Sequence, residues 1–180
     1  MRIVAGELGG RRLRSPRGDD VRPTTDRVRE ALFSILGEMD GLAVLDLYSG
    51  TGALGLEALS RGAAGVTLVD RDIGPARANA EELGVADRVD LIRSDAVAFL
   101  RRGGSAYDLV LLDPPYRLAR SVAADLTEPL ASRLREGARV VVESAAEAPL
   151  ALDPQLLPLV DERRYGSTSI RIHELPEAPR

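Results

Sequence analysis

From Gly41 onward, short apolar runs alternate with stretches whose apolar residues recur at helical spacing. In order these are LAVLDLY, ALGLEALSRG, GVTLVD, IGPARANAEELG, RVDLIRSD, AVAFLRRG and YDLVLLDPPY. The first kind suits buried strands, and strands alternating with helices form βαβ units in a parallel sheet. ARVVVES, LLPLVDERRYG and STSIRIHE add three strand candidates, with no clear helical pattern between the last two, which predicts a terminal antiparallel hairpin. Ahead of Gly41, RIVAG and GRRLRS flank Gly9 and Gly10 as a hairpin would. TTDRVREALFSILGEM offers a threonine N-cap and places Val28, Ala31, Leu32, Ile35 and Leu36 on one helical face.

The pattern predicts an α/β fold: a seven-stranded, mostly parallel sheet with helices on both faces, preceded by an N-terminal β-hairpin and helix. Residues 1–180 read as a single domain, with 1–40 as the N-terminal extension and 41–175 as a Rossmann-like core. There is no internal repeat or low-complexity segment, and only Pro16 to Val21 and Pro176 to Arg180 read as loose.

Composition narrows the chemistry. The chain has 180 residues, 44% of them hydrophobic and 29% charged, enough for an ordinary soluble domain with its own core. Cysteine is absent and there is one histidine, so disulfides and thiolate metal sites are excluded and no metal is expected. That histidine, His173, lies in the alternating SIRIHE and is expected to face solvent. MRIVAGELGGRRLRSP lacks the apolar core of a signal peptide, and no run of about 18 apolar residues offers a membrane span. The cytoplasm is the expected location, with no membrane partner.

A net charge of -4 argues against a polyanionic partner, but its distribution argues the other way. Residues 1–30 carry eight arginines against five acids, whereas the remainder carries sixteen basic residues against twenty-three acids. Every basic residue is an arginine, a bias that a GC-rich genome explains as readily as phosphate binding does.

In an open parallel sheet, ligands bind beyond the carboxyl ends of the strands. Four acids close four predicted strands: Asp46, Asp70, Asp95 and Asp113. Each alone would read as a helix cap or turn residue, but four at equivalent places read as a site. After Asp46 comes YSGTG, where Gly50 and Gly52 allow close approach of backbone to a ligand and the following helix aims amide groups at it. No lysine exists to complete a P-loop. A dinucleotide Rossmann site stays open, because Gly50, Gly52 and Gly55 read G-x-G-x-x-G. Asp46 could take a cationic amino group, Asp70 a ribose hydroxyl and Asp95 an adenine amino group. A ligand with an amino acid tail, a ribose and an adenine satisfies all three.

DLYSGTGALGLEALSRGA, LVDRD, RSDA and DPPY, in this order and spacing, resemble the S-adenosylmethionine-dependent amino methyltransferases of class I fold. GELGGRRLRSP and RPTTDRVREALFSIL narrow the likeness to the RsmD type, the bacterial 16S ribosomal RNA (guanine-966-N2) methyltransferases. The resemblance covers nearly the whole chain. It implies S-adenosylmethionine as cofactor, with Asp46, Tyr48, Gly50 and Gly52 at its methionine end, Asp70 and Arg71 at the ribose, and Asp95 and Ala96 at the adenine. It also implies 16S ribosomal RNA or the small ribosomal subunit as partner, and the chain is expected to act as a monomer.

DPPY then has a chemical rationale. An exocyclic base amine is a poor nucleophile because its lone pair is delocalised into the ring. Asp113 can accept one N–H and the Pro114 carbonyl the other, turning the lone pair toward the methyl donor. Pro114 and Pro115 stiffen the turn, and Tyr116 offers a flat face for a flipped base. As an isolated tetrapeptide it would be an ordinary turn. DPPY serves an N6-adenine methyltransferase equally, and a non-catalytic RNA-binding ribosome-assembly protein on the same fold is a further alternative. Arg11, Arg12, Arg14, Arg22 and Arg29 are the candidate phosphate contacts, although Arg22, Arg27 and Arg29 could instead pair with Asp26, Glu30 or other acids.

Overall fold

The computed structural model describes residues 1–14, 25–115 and 119–177. Its elements are, in chain order, α1 (Asp26–Leu36), β1 (Ala43–Leu47), α2 (Ala53–Ser60), β2 (Gly65–Asp70), α3 (Gly74–Leu83), β3 (Val89–Arg93), α4 (Ala96–Arg101), β4 (Tyr107–Leu112), α5 (Ala119–Ala131), β5 (Leu134–Ala145), β6 (Leu159–Tyr165) and β7 (Thr168–Glu174). They build one seven-stranded sheet in the order β3-β2-β1-β4-β5-β7-β6. The first five strands are parallel, and β7 inserts antiparallel between β5 and β6. The α/β class, the mostly parallel sheet and the terminal hairpin agree with the sequence pattern. The order reverses between β1 and β4, so the crevice expected of such a sheet opens beside the ends of those two strands.

Alternation along the strands divides the core. Leu109, Leu111 and Val141 face a layer made by the N-terminal segment, α1, α2 and α3, whereas Val110, Leu112 and Val142 face α4 and α5. The α5 crossover is absent from the sequence pattern. A proline, Pro129, lies within it, yet parallel β4 and β5 require such a crossover.

The N-terminal hairpin is shorter than RIVAG and GRRLRS suggest. Pairing reduces to a bridge between Arg2 and Arg12, with Ile3 N–H donating to the Arg11 carbonyl at 2.9 Å. The segment also bonds α2 and, through Arg14 N–H donating to Asn79 Oδ1 at 2.8 Å, α3. Glu7 N–H donates to the Ser60 carbonyl at 2.8 Å, and Leu8 N–H to Ser60 Oγ at 3.0 Å. Gly6 permits this approach, since a Cβ there would stand 1.8 Å from the Ser60 carbonyl oxygen.

Arg29 is a correction to the sequence reading. It is fully buried and faces no RNA. Its Nη2 donates to Asp26 Oδ1 at 2.7 Å and to the Arg2 carbonyl, while its Nε lies 3.5 Å from Glu57 of α2. Glu57, also fully buried, accepts from Val4 N–H at 2.7 Å, Ala5 N–H at 3.0 Å and Arg61 Nε at 2.8 Å. The buried face of α1 is Arg29, Leu32, Phe33 and Leu36, rotated from the predicted stripe so that the arginine stands inside it. His173 is a second correction. The chain between β5 and β6 covers that side of β7 with Leu150, Leu152 and Leu157, so His173 is buried with Nδ1 2.8 Å from the Leu157 carbonyl.

Replacing Arg29 by methionine should therefore destabilise the fold, by about 3 kcal/mol, because breaking a buried pair leaves Glu57 short of compensation. Equilibrium denaturation measures this. A loss below about 0.5 kcal/mol would show that Arg61 alone balances Glu57.

Candidate active site

At the end of β1, Asp46 is almost fully buried, and its Oδ2 accepts from Gly55 N–H at 2.9 Å. Gly55 is required there, since a Cβ would stand 2.4 Å from Leu68 Cδ2 and 2.8 Å from Val66 Cγ1, so α2 lies directly on the sheet. Among the described residues no cation pairs with Asp46. Burial raises its carboxyl to about 7; the Gly55 bond opposes the rise and the Asp70 charge adds to it.

The chain then turns sharply. Tyr48 has φ +59°, unusual for an aromatic residue, and Gly52 caps α2 in the left-handed region. Ser49 Oγ is buried without a hydrogen-bond partner among the described residues. Asp70 fixes the loop from the next strand. Its Oδ2 accepts from Gly50 N–H at 2.9 Å and its Oδ1 from Asp72 N–H at 3.0 Å. At the end of β3, Asp95 caps α4 by accepting from Ala98 N–H at 3.1 Å, with Ala96 buried at the first helical position. Arg71 reaches across to Asp95 at 2.6 Å. Its guanidinium holds the Asp95 carboxyl below the usual range. Burial, chiefly, and the Asp95 charge push the Tyr48 hydroxyl up to about 12. The structure thus brings Asp46, Tyr48, Gly50, Gly52, Asp70, Arg71, Asp95 and Ala96 to one edge of the sheet, with Arg71 on the acid expected at the adenine.

Asp113 follows β4 and is partly exposed; Pro114 is buried and Pro115 exposed. Burial, then the charges of Glu143 and Asp46, drive the Asp113 carboxyl well above the usual range. Glu143 of β5 is the functional candidate that the sequence reading missed. It is buried, and Leu112 pairs with Val142, so Asp113 and Glu143 continue adjacent strands side by side. The signal was an acid near the end of a fifth parallel strand. Arg11, Arg12 and Arg14 are exposed; Arg11 donates to the Glu82 carbonyl at 2.8 Å and Arg14 pairs with Glu82 at 2.7 Å. Tyr116 and Arg22 lie outside the described residues. Among those described, no cluster of metal-ligating side chains occurs and no helix is long and apolar enough to cross a membrane.

The geometry suits a cationic nucleoside. An amino group could pair with Asp46, a ribose could use the free acceptor positions of Asp70, and Ser49 Oγ awaits a partner. The family described as Conserved hypothetical protein 95 matches residues 1–174. Ribosomal RNA small subunit methyltransferase D of Escherichia coli is 36% identical over 97% of this chain and 89% of its own length. A putative rRNA methyltransferase of Bacillus subtilis, YlbH, is 33% identical over 97% and 98%. Among solved structures, the putative methyltransferase yhhF from Escherichia coli superposes with TM-score 0.86, at 36% identity and covering 99% of both chains.

The buried carboxyls make stability depend on pH. Asp46 holds its proton more tightly folded than unfolded, so its contribution is full below about pH 4 and lost as pH rises through about 7. Asp46→Asn keeps an acceptor for Gly55 N–H and cannot ionise. Its stability should fall less than wild type between pH 4.5 and 8, by up to about 3 kcal/mol, in denaturation at both pH values. Equal losses in the two proteins would mean that Asp46 ionises as an ordinary carboxyl.

Proposed function

The chain belongs to the Conserved hypothetical protein 95 family, and from that premise we propose that it transfers a methyl group from S-adenosylmethionine to the N2 amine of a guanine in 16S ribosomal RNA. The observation that carries the reading is Asp113, held at the end of β4 beside the loop that follows β1. The cofactor supplies an electrophilic methyl group on a sulfonium. Asp46 pairs with its ammonium, Asp70 accepts from the ribose and Asp95 from the adenine amine. Tyr48, Gly50, Gly52 and Ala96 shape the walls between these anchors, and Arg71 orients Asp95.

Asp113 and the Pro114 carbonyl accept the two N–H groups of the guanine amine and fix its lone pair toward the methyl. As nitrogen becomes positive, the nearby carboxylates stabilise it, and the amine loses its proton to a carboxylate oxygen of Asp113. The raised proton affinity of Asp113 suits that transfer. Pro115 stiffens the turn and Tyr116 stacks on the base. Residues 1–40 form the RNA-facing extension of a single domain, in which Arg11, Arg12 and Arg14 meet phosphates and Arg22 joins them. The enzyme works as a monomer in the cytoplasm, where its substrate is found.

Asp113→Ala should lower methyl transfer about 100-fold or more while cofactor affinity stays within about twofold. Tritium transfer to small-subunit RNA and calorimetry measure the two effects. Turnover within about tenfold of wild type would remove Asp113 from the chemistry. Digestion of the product to nucleosides distinguishes N2-methylguanosine from N6-methyladenosine.

Replacing Arg11, Arg12 and Arg14 together by glutamine should weaken RNA binding and flatten its salt dependence, by about 0.7 to 0.9 log units for each phosphate no longer neutralised. Cofactor affinity should not change. Parallel salt lines for the two proteins would mean that these arginines serve only interactions such as the Arg14–Glu82 pair, which is exposed and contributes little to stability.

A further inference from the structure

Glu143 has no part in the four-acid pattern, yet it occupies the most informative place beside Asp113. The parallel register sets Leu111 against Val141 and Leu112 against Val142, so Asp113 and Glu143 come next on neighbouring strands. Leu111 and Val141 both pack into the layer under α1 and α2. Side chains two residues further along share that face, which puts Asp113 and Glu143 next to each other. Asp46 is on the same face of β1, aligned with Leu111. Glu143 is only 6% exposed, and its charge raises the Asp113 carboxyl. Two acids side by side repel unless something with donors lies against both.

Guanine has that something. Its N2 amine adjoins N1–H, so two neighbouring ring positions present donors. Adenine offers donors at N6 but a lone pair at N1. Strands about 4.8 Å apart can direct two side chains at adjacent atoms of one base. Glu143 also has an interaction within the protein, and a carboxylate, with about four acceptor positions, can keep such a contact while accepting from a base.

We propose that Glu143 accepts N1–H of the target guanine while Asp113 accepts from its N2 amine, so that this pair of acceptors selects guanine over adenine. The inference rests on the guanine-N2 reading above and names the residue that would enforce it. A base with a lone pair at N1 would face a buried carboxylate, and such a mismatch is costly because both acceptors lose water without gaining a partner.

The test uses small subunits assembled on RNA in which the target guanine is replaced by 2-aminopurine. That base keeps the amine but has a lone pair at N1. For wild type, kcat/KM should fall at least about tenfold on this substrate. In Glu143→Gln the side-chain amide can donate to the bare N1, so the preference for guanine should shrink by at least about tenfold, with cofactor affinity intact. A structural role for Glu143 would lower both substrates by one factor and leave the ratio unchanged, which overturns the proposal, as would no change in either rate. Should the variant not fold, wild type is compared also on 6-thioguanine, which changes O6 but keeps N1–H, because 2-aminopurine lacks O6 as well. Equal rates on guanine and 2-aminopurine, or an equal loss on both analogues, overturn the proposal, and a loss of about tenfold confined to 2-aminopurine supports it. Failure of the parent reading looks different, because N2-methylguanosine would then be missing from the wild-type digest on guanine itself.

Discussion

Parallel strands that run the same way must stop at the same edge, and the site depends on that constraint. β2, β1, β4 and β5 are held in register by backbone hydrogen bonds, so whatever residue follows each apolar run is delivered to one crevice. Acids separated by tens of residues in sequence thereby become neighbours. The same register makes Asp46, Asp113 and Glu143 share a face, where burial, chiefly, and neighbouring acids raise the carboxyls of Asp46 and Asp113 above the usual range. A functional edge of this kind works against the stability of the empty protein, and a cationic ligand relieves part of that opposition.

The other buried charges are arranged in the opposite sense. Arg29, Glu57, Arg61 and Asp26 alternate in sign, and Glu57 also satisfies the N–H groups of Val4 and Ala5. Both clusters lie against the layer formed by α1 and α2, but the first is neutralised within the chain, whereas among the described residues no cation pairs with Asp46 of the second. This contrast separates a structural from a functional use of buried ions. Each charge of the first finds its counter-ion in the protein, whereas Asp46 has a single backbone donor.

Periodicity made the parallel core legible because its strands are short apolar runs buried on both faces, and an acid closing a run is easy to see. Glu143 escaped for a physical reason: β5 continues past it to Ala145 through pairing with β7, so it reads as part of a strand and not as its end. Arg29 stands with Leu32, Phe33 and Leu36 at helical spacing, yet a charge within an apolar stripe is read outward unless its counter-ion is known, and Glu57 is remote in sequence. His173 depends likewise on a loop folding over β7. These cases share one cause. Local pattern reports which side of an element is apolar, whereas the fate of a polar residue is decided by a partner that the pattern does not contain.

Helix α2 joins the two halves of the molecule. Its first residues follow the glycine loop held by Asp70, and its Gly55 N–H bonds Asp46; its Glu57 and Ser60 hold the N-terminal segment that carries the exposed arginines. With eight residues it is about 12 Å long, and it ties the groups that would bind cofactor and those that would meet RNA to one rod. The loop that would bind cofactor precedes it, Glu57 and Ser60 hold residues 4–8, and Arg14 N–H donates to Asn79 of α3, whose side chain donates to the Thr51 carbonyl of that same loop. Gly55 seats that rod directly on β2, leaving no slack for either end to shift alone. An acidic chain can then approach a polyanion with its arginine-bearing side forward and still align the crevice, because the orientation of one is built into the placement of the other.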